Sequence, residues 1–276
     1  MPATDEADGR DGRRTEDGPR GEDGPRGEAG QRGGGGGRAG QRDAAAITIL
    51  AVVLTVGTGA TDVASFTRLG NVFTSVMTGN LVLLGLAVGR LSGALATHAV
   101  LAFAGYLAGV AAGARLVPAG QAPGAPWHQT LPAALLAELV LLAGFSVGWE
   151  LTGGAPRGAA QAVLLAVAAA AMGTQSAAAR GFGARVSTTY LTGTLTSVVA
   201  AWVTPGRPAR MQWREVSLLA ALTAGAAVGG LVIANAPAAL PAIPLTTVVL
   251  VIGTAWGVGG GSPWSAFRSL WPGRTR

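Results

Sequence analysis

Three polar side chains within apolar stretches of this chain could bind a proton, a cation or a polar solute. Asp62 and Glu138 each place a carboxyl group among apolar residues, and Asn80 follows Thr78 and Gly79 in a short polar string. A carboxyl group in an apolar helix is costly, so it is usually paired or functional. A carboxylate can hold a proton or a cation, and an amide offers both a donor and an acceptor. These residues predict a polar site for a small solute or ion.

The polar string around Asn80 has a counterpart 114 residues later in the chain. Residues 72–81 read VFTSVMTGNL, and residues 186–195 read VSTTYLTGTL. At the same offset Asp62 matches Ser176, which follows Gln175. The candidate binding residues are Asp62, Thr78, Gly79, Asn80, Glu138, Gln175, Ser176, Thr192 and Thr194.

Each candidate also has a structural interpretation. Asp62 could pair with Arg68 or cap a helix, and Glu138 could be a protonated group that only accepts or donates a hydrogen bond. The Thr, Asn and Gln side chains could hydrogen-bond across helices for about 0.6 kcal/mol each, and Gly79 could allow close helix packing. Both interpretations stay open for every candidate.

Composition predicts that the body of the chain lies in a membrane. Charged residues are 12% of the sequence, and ten of the 14 acids fall in the first 43 residues. Stretches such as 91–114 and 216–263 carry no charge. A soluble domain needs a charged surface, and this body lacks one.

Apolar segments alternate with short polar connections along this body. Crossing a bilayer takes about 20 helical residues. Six segments are long enough; the second and sixth are shorter and rich in Ser and Thr, so they could be tilted spans or re-entrant hairpins. The segments are 44–66, 72–89, 95–117, 131–149, 159–179, 188–203, 216–236 and 240–258. The predicted fold is all-α transmembrane, with eight spans or with six spans and two re-entrant hairpins.

The segments form two internal repeats of four, at about 44–149 and 159–258. The third segment carries Gly105 and Gly109, and the seventh carries Gly225 and Gly229 in a similar context. Eight spans would make the repeats parallel and six would make them inverted. Either arrangement places most Arg residues on the cytoplasmic side and both termini in the cytoplasm. Pseudo-symmetry would bring the two polar strings together at the repeat interface, where transporters bind substrate.

Two polar tails flank this membrane domain of residues 44–258. Residues 1–43 are Gly-, Arg- and acid-rich, and we expect a disordered cytoplasmic tail. Residues 259–276 are expected to form a short basic cytoplasmic tail. The first apolar stretch begins near residue 44, so a cleaved signal peptide is not expected.

Several classes of chemistry are not expected. There is no Cys, and all 20 basic residues are Arg. His98 and His128 are isolated, so no metal site or cofactor is predicted. No nucleophile lies near a base, which argues against an enzyme. The Arg residues lie between apolar segments without interleaved aromatic residues, which indicates topology determinants and argues against nucleic-acid binding.

The polar strings resemble a known family. Their sequences are similar to the signature of the YoaK-type bacterial membrane proteins, a family whose domain has no assigned function, at residues 59–66, 69–73 and 77–80 and again at 173–176 and 188–195. The resemblance covers about 46–258. Ser176 departs from the family, where Asn is expected after Gln. The resemblance implies a polytopic inner-membrane protein and names no substrate.

The sequence therefore predicts an inner-membrane transporter or permease for an unidentified small solute, in contact with the lipid bilayer. Asp62, Asn80 and Glu138 would line a polar midplane site, with Asp62 or Glu138 as the proton- or cation-coupling group. The alternative is a non-transporting scaffold or envelope-stress protein whose polar motifs serve helix packing. Whether the chain forms a homo-oligomer stays open.

Overall fold

The computed structural model describes residues 34–116, 132–181, 195–196, 199–200 and 209–259. Residues 1–33 of the predicted N-terminal tail 1–43 and residues 260–276 of the predicted C-terminal tail 259–276 lie outside the described residues, and so do Thr192 and Thr194. The chain after Gln41 forms one compact unit, and all packing below belongs to it.

The described residues contain seven bounded α-helices, one 3₁₀ turn and no strand. The α-helices are α1 (Gly34–Arg68), α2 (Met77–Gly89), α3 (Gly93–Leu116), α4 (Pro132–Leu151), α5 (Gly158–Gly181), α6 (Ala209–Asn235) and α7 (Ala242–Gly259), with the 3₁₀ turn Pro237–Ala239 before α7. Six of them are long and apolar enough to cross a membrane, α1 through its part Ala45–Arg68. Helix α2 is apolar but has only 13 residues. Among the described residues, the predicted all-helical fold with six long apolar segments and a shorter second segment is confirmed. Most of the predicted sixth segment, 188–203, lies outside them.

The bundle is apolar outside and partly polar inside. Large apolar side chains such as Val82 and Val140 are 73% and 70% exposed. The buried residues include Asp62, Glu138 and Gln175. An apolar outer surface suits lipid, and polar groups in lipid must find partners inside the bundle.

Helix α1 ends in a sharp reversal of the chain. Its last backbone hydrogen bond runs from Leu69 N–H to the Ser65 carbonyl. Gly70 follows with a φ of 107° and Asn71 with a φ of 60°. Positive φ angles suit glycine and, less well, asparagine. The chain then returns along α1 without helical hydrogen bonds until α2 begins at Met77.

Glycines bring two pairs of long helices into backbone contact. A Cβ on Gly109 of α3 would lie 2.0 Å from the Ala170 carbonyl oxygen of α5. A Cβ on Gly225 of α6 would lie 2.1 Å from the Val56 carbonyl oxygen of α1. Any larger residue would force these helices apart. The absence of a side chain at both glycines therefore allows these helix pairs to pack closely.

One end of the bundle is fixed by contacts between helix termini. Gln161, near the start of α5, donates from Nε2 to the Arg68 carbonyl at the end of α1 over 3.0 Å. Trp149, near the end of α4, donates from Nε1 to the Pro237 carbonyl between α6 and α7 over 2.8 Å. Successive long helices therefore run in alternating directions. We call this the Arg68 end.

Candidate functional site

Asp62 binds the returning chain and not Arg68. The N–H groups of Thr74 and Ser75 donate to its Oδ1 at 2.8 and 2.9 Å, and the Thr74 hydroxyl donates to the same atom at 2.7 Å. The Ser75 hydroxyl donates to Oδ2. The side chain is 6% exposed. Both carboxyl oxygens are therefore satisfied by neutral donors.

Asn80 closes the same hairpin from α2. Its Nδ2 donates to the Phe73 carbonyl at 2.6 Å, and its Oδ1 accepts the Phe73 N–H at 2.9 Å. The side-chain amide of Asn80 thus bonds to both the N–H and the carbonyl of Phe73, as the backbone of a neighbouring β-strand would. Ser65 donates its hydroxyl to the Val72 carbonyl at 2.8 Å. The hairpin lock, as we call it, consists of Asp62, Ser65, Thr74, Ser75 and Asn80.

Thr78 and Gly79 are not part of the hairpin lock. Thr78 is exposed, and its side chain makes no hydrogen bond to any residue that the structure describes. A Cβ on Gly79 would lie 3.3 Å from Val76 and 3.4 Å from Phe73, so the absence of a side chain there allows close packing of the hairpin.

Glu138 lies in a separate polar cluster that joins three helices. Its Oε1 accepts a hydrogen bond from Gln175 Nε2 of α5 at 2.8 Å. Gln175 Oε1 in turn accepts one from the Thr58 hydroxyl of α1 at 2.8 Å. Glu138 is fully buried, and its Oε2 has no hydrogen-bond partner among the described residues. Because Thr58 precedes Asp62 by one turn of α1, this central cluster of Thr58, Glu138 and Gln175 lies next to the hairpin lock.

Ser176 belongs to the contact between α3 and α5. It accepts a hydrogen bond from the Tyr106 hydroxyl at 2.9 Å. One residue earlier, the Thr174 hydroxyl lies within hydrogen-bonding distance of the Ala170 and Gly109 carbonyls, at 2.9 and 3.2 Å. Ser176 is thus beside the central cluster in sequence but is bonded to a different helix.

The described residues contain no group of three or more His, Cys, Asp or Glu side chains placed to hold a metal ion. His98 packs against Gly70 at the Arg68 end. It lies at a different level of α3 from Tyr106, the residue that bonds to Ser176.

Comparison with known proteins identifies the family. A family model described as "Protein of unknown function (DUF1275)" matches residues 50–255. The chain belongs to the DUF1275 family. Over 157 residues, 34% are identical to the UPF0700 transmembrane protein YoaK of Bacillus subtilis (strain 168), a match that covers 56% of this chain and 67% of YoaK. No solved structure matches the chain.

This DUF1275 chain is a multi-pass membrane protein. Its relative is named as a transmembrane protein, and six of its own helices have the length and hydropathy of membrane spans. The predicted resemblance to the YoaK-type family is confirmed. The matched residues include both the hairpin lock and the central cluster.

Sequence reasoning missed several partners in this DUF1275 protein. Thr74 and Ser75 lie in the polar string around Asn80. If that string were part of an uninterrupted helix, however, Thr78 would lie at the depth of Asp62. Thr58 could have been found, since it lies one turn before Asp62 on the same face of α1. No sequence signal paired Tyr106 with Ser176, because 70 residues separate them.

Proposed function

We propose that this chain carries a small solute across the inner membrane, with Glu138 binding and releasing a proton or cation during transport. The observation that carries the proposal is the unpartnered Oε2 of Glu138 within the central cluster. A carboxyl group inside a membrane helix bundle is a functional-site hypothesis by default.

Energetics support a role for Glu138 beyond packing. A buried polar atom without a partner destabilises a fold by about 1–3 kcal/mol. A proton or a cation that binds Oε2 in one state of the protein would offset that cost in that state alone. Such differential binding is what couples an ion to a conformational change.

Repeated packing contacts support two structural repeats. A Cβ on Gly59 of α1 would lie 2.3 Å from the Leu222 carbonyl of α6, and a Cβ on Gly173 of α5 would lie 2.2 Å from the Tyr106 carbonyl of α3. The two glycines are 114 residues apart, and the residues that they meet are 116 apart.

The Gly109 and Gly225 contacts have the same relation. Gly109 and Gly225 are 116 residues apart, and their partners Ala170 and Val56 are 114 apart. Helix α1 thus corresponds to α5, and α3 corresponds to α6. This pairing aligns Gly225 with Gly109. The sequence comparison had aligned it with Gly105, one helical turn earlier.

The course of α2 supports inverted rather than parallel repeats. Residues 72–75 descend beside α1 from Gly70 to the level of Asp62, and Asn80 then lies beside Phe73 on the way back. The last turn of α2 shares a cavity with Gly70, so the segment enters and leaves by the Arg68 end. We infer that it is a re-entrant hairpin. With three membrane crossings in each half, the second half has the opposite orientation in the membrane to the first.

The central cluster crosses the interface between these repeats. Thr58 and Glu138 belong to the first repeat, and Gln175 belongs to the second. Inverted-repeat transporters bind substrate and coupling ions at such an interface, and movement of one repeat against the other exposes the site to each side in turn. With the N-terminus in the cytoplasm, six spans return the C-terminus there as well.

The hairpin lock favours a second candidate function, a non-transporting membrane scaffold. Every polar group of Asp62 and Asn80 that the structure describes there is used to hold the chain reversal. In a scaffold the central cluster would likewise only connect helices, and it would stay dry in every state.

Water access distinguishes the two candidates. The chain has no natural cysteine, so T58C and E138C can be tested one at a time with a membrane-impermeant thiol reagent in sealed cells and in inverted vesicles. A168C is the matched control, because Ala168 is fully buried in α5 within an apolar cluster. Transport predicts labelling of T58C or E138C from at least one side while A168C stays unlabelled. Folded protein without labelling at T58C and E138C in both preparations would reject transport in favour of a scaffold.

A further inference from the structure

A cavity at the Arg68 end carries chemistry that the central cluster does not use. It is an open cavity of about 540 Å³ between the α1–α2 reversal, α2, and the first turns of α3 and α5. Arg68 and Thr58 are ten residues apart on α1, so this end lies about 15 Å from the central cluster along the helix. The polar part of its lining consists of Asn71, Arg90, Ser92, His98 and Gln161.

The described lining is positively charged. Arg90 is exposed, and it makes no side-chain hydrogen bond within the part of the chain that the structure describes. Neither Asp nor Glu is present in the described lining. Ser92 and Ala94, at the start of α3, also line the cavity, so the positive end of the α3 dipole faces the same space. An anion would find several donors and no competing carboxylate.

The backbone holds these groups in place. Arg90 and Ser92 donate their N–H groups to the Leu86 and Ala87 carbonyls at 2.9 Å each, which closes a tight turn between α2 and α3. Leu91 within this turn has a φ of 52°, and Asn71 on another wall has a φ of 60°. Left-handed backbone in a non-glycine residue destabilises by about 1–2 kcal/mol and persists when surrounding structure enforces it.

His98 is fixed as a wall of the cavity by Gly70. A Cβ on Gly70 would lie 2.4 Å from His98 Cγ, so the ring packs directly on the glycine backbone. The apolar part of the lining includes Phe66, Leu83, Leu86 and Leu95. The cavity therefore has a cationic side chain, Arg90, and apolar side chains in the same lining.

We propose that this cavity binds the oxyanion group of an amphiphilic molecule, a carboxylate or a phosphate, with Arg90 as its main ligand. The planar guanidinium forms two parallel hydrogen bonds with such groups. His98 and Asn71 supply further polar contacts, and the leucines accept the apolar part. The same chemistry occurs in soluble organic anions and in anionic lipid headgroups.

The topology supports a binding role for Arg90. In the six-span arrangement the Arg68 end faces outward, where the positive-inside rule predicts few Arg residues. Arg90 is thus on the side where an Arg does not help to set the topology. Anion binding at this cavity does not depend on the proposed function. Its role in transport does: the cavity would then be the outer entry site, and the solute would be an anion.

Binding to the purified full-length chain in phosphatidylcholine nanodiscs tests the proposal. The probes are inorganic phosphate, hexanoate and dihexanoyl phosphatidylglycerol, each titrated by calorimetry against wild type, R90Q, R90K and R115Q. Arg115 is the matched control, because it is exposed at the opposite end of α3. We expect at least one probe to bind wild type and R115Q, R90Q to bind it about tenfold or more weakly, and R90K to retain an intermediate affinity.

The outcomes are separable. Binding of hexanoate or phosphate identifies a soluble anion as the source, and binding of the phosphatidylglycerol alone identifies a lipid headgroup. Failure of all three probes to bind wild type, or equal affinity in R90Q and R115Q at equal thermal stability, would overturn the site. Labelling of T58C and E138C reports on transport independently, so the loss of one proposal leaves the other standing.

Discussion

Asp62 and Glu138 are both buried carboxyl groups in long apolar helices, yet their surroundings differ. Asp62 accepts four hydrogen bonds that use both of its oxygens. Glu138 accepts one, on Oε1, and its Oε2 has no partner in the described part of the chain. The first arrangement pairs both carboxyl oxygens, and the second leaves one carboxyl oxygen without a hydrogen bond among the described residues.

The backbone beside each group explains the difference. Asp62 faces residues 72–75, whose N–H groups are free of helical hydrogen bonds and can donate to a carboxylate. Glu138 lies in the middle of α4 and faces α5, where backbone N–H groups are already bonded within the helix. Only side chains can reach it, and Gln175 supplies one donor. A non-helical stretch therefore satisfies both carboxyl oxygens of a buried acid, whereas a pair of packed helices satisfies one.

The largest effect on stability is expected from D62A. It leaves two N–H groups and two hydroxyls of the hairpin lock without an acceptor, which should lower the free energy of unfolding by at least about 3 kcal/mol. Unfolding by detergent titration, followed by tryptophan fluorescence, measures the change. D62N keeps one acceptor oxygen and should lose less. If D62A is as stable as wild type, Asp62 is not a structural residue.

N80A should have the next largest effect, about 2 kcal/mol, because both hydrogen bonds to Phe73 are lost. T78A is its matched control two residues away and should stay within about 0.5 kcal/mol of wild type, since Thr78 is exposed. The same unfolding titration compares them. Equal losses in the two variants would mean that the hairpin lock contributes little.

Q175M should lower stability by about 1–2 kcal/mol. The substitution keeps the volume of the side chain, but it removes the donor to Glu138 and the acceptor for Thr58. A double-mutant cycle with E138Q isolates the coupling between the two residues. A coupling energy near zero would show that the Gln175–Glu138 hydrogen bond adds nothing to folding.

Among the substitutions in the hairpin lock and the central cluster, E138Q should have the smallest effect on the free energy of unfolding, within about 1 kcal/mol. The amide oxygen of the new side chain can still accept the hydrogen bond from Gln175, and no other described partner is lost. Ion binding should disappear, which calorimetric proton uptake by wild type and E138Q would register. A loss of 3 kcal/mol or more in E138Q would make Glu138 a packing residue like Asp62.

Composition and segment length were enough to predict the six long helices, because hydropathy over about 20 residues reports directly on lipid exposure. Asp62, Asn80, Glu138 and Gln175 were also found by their polarity in apolar surroundings, and all four are buried.

The partners of these residues were harder to predict. The start of α2 at Met77 depends on the hairpin lock, whose tertiary contacts override the apolar pattern of 72–89. Asp62 therefore meets Thr74 and Ser75, and not the residue that helical spacing would place at its depth. The Gln175–Glu138 bond joins residues 37 apart on two helices, and their relative rotation is set by packing.

The reciprocal glycine contacts have a consequence for the ancestry of the chain. Each proposed half presents the surface that the other half accepts, as the two subunits of a homodimer do at an isologous interface. A three-helix ancestor with this surface could have paired with a copy of itself inserted upside down in the same bilayer. Gene fusion would then have freed each half to diverge in sequence.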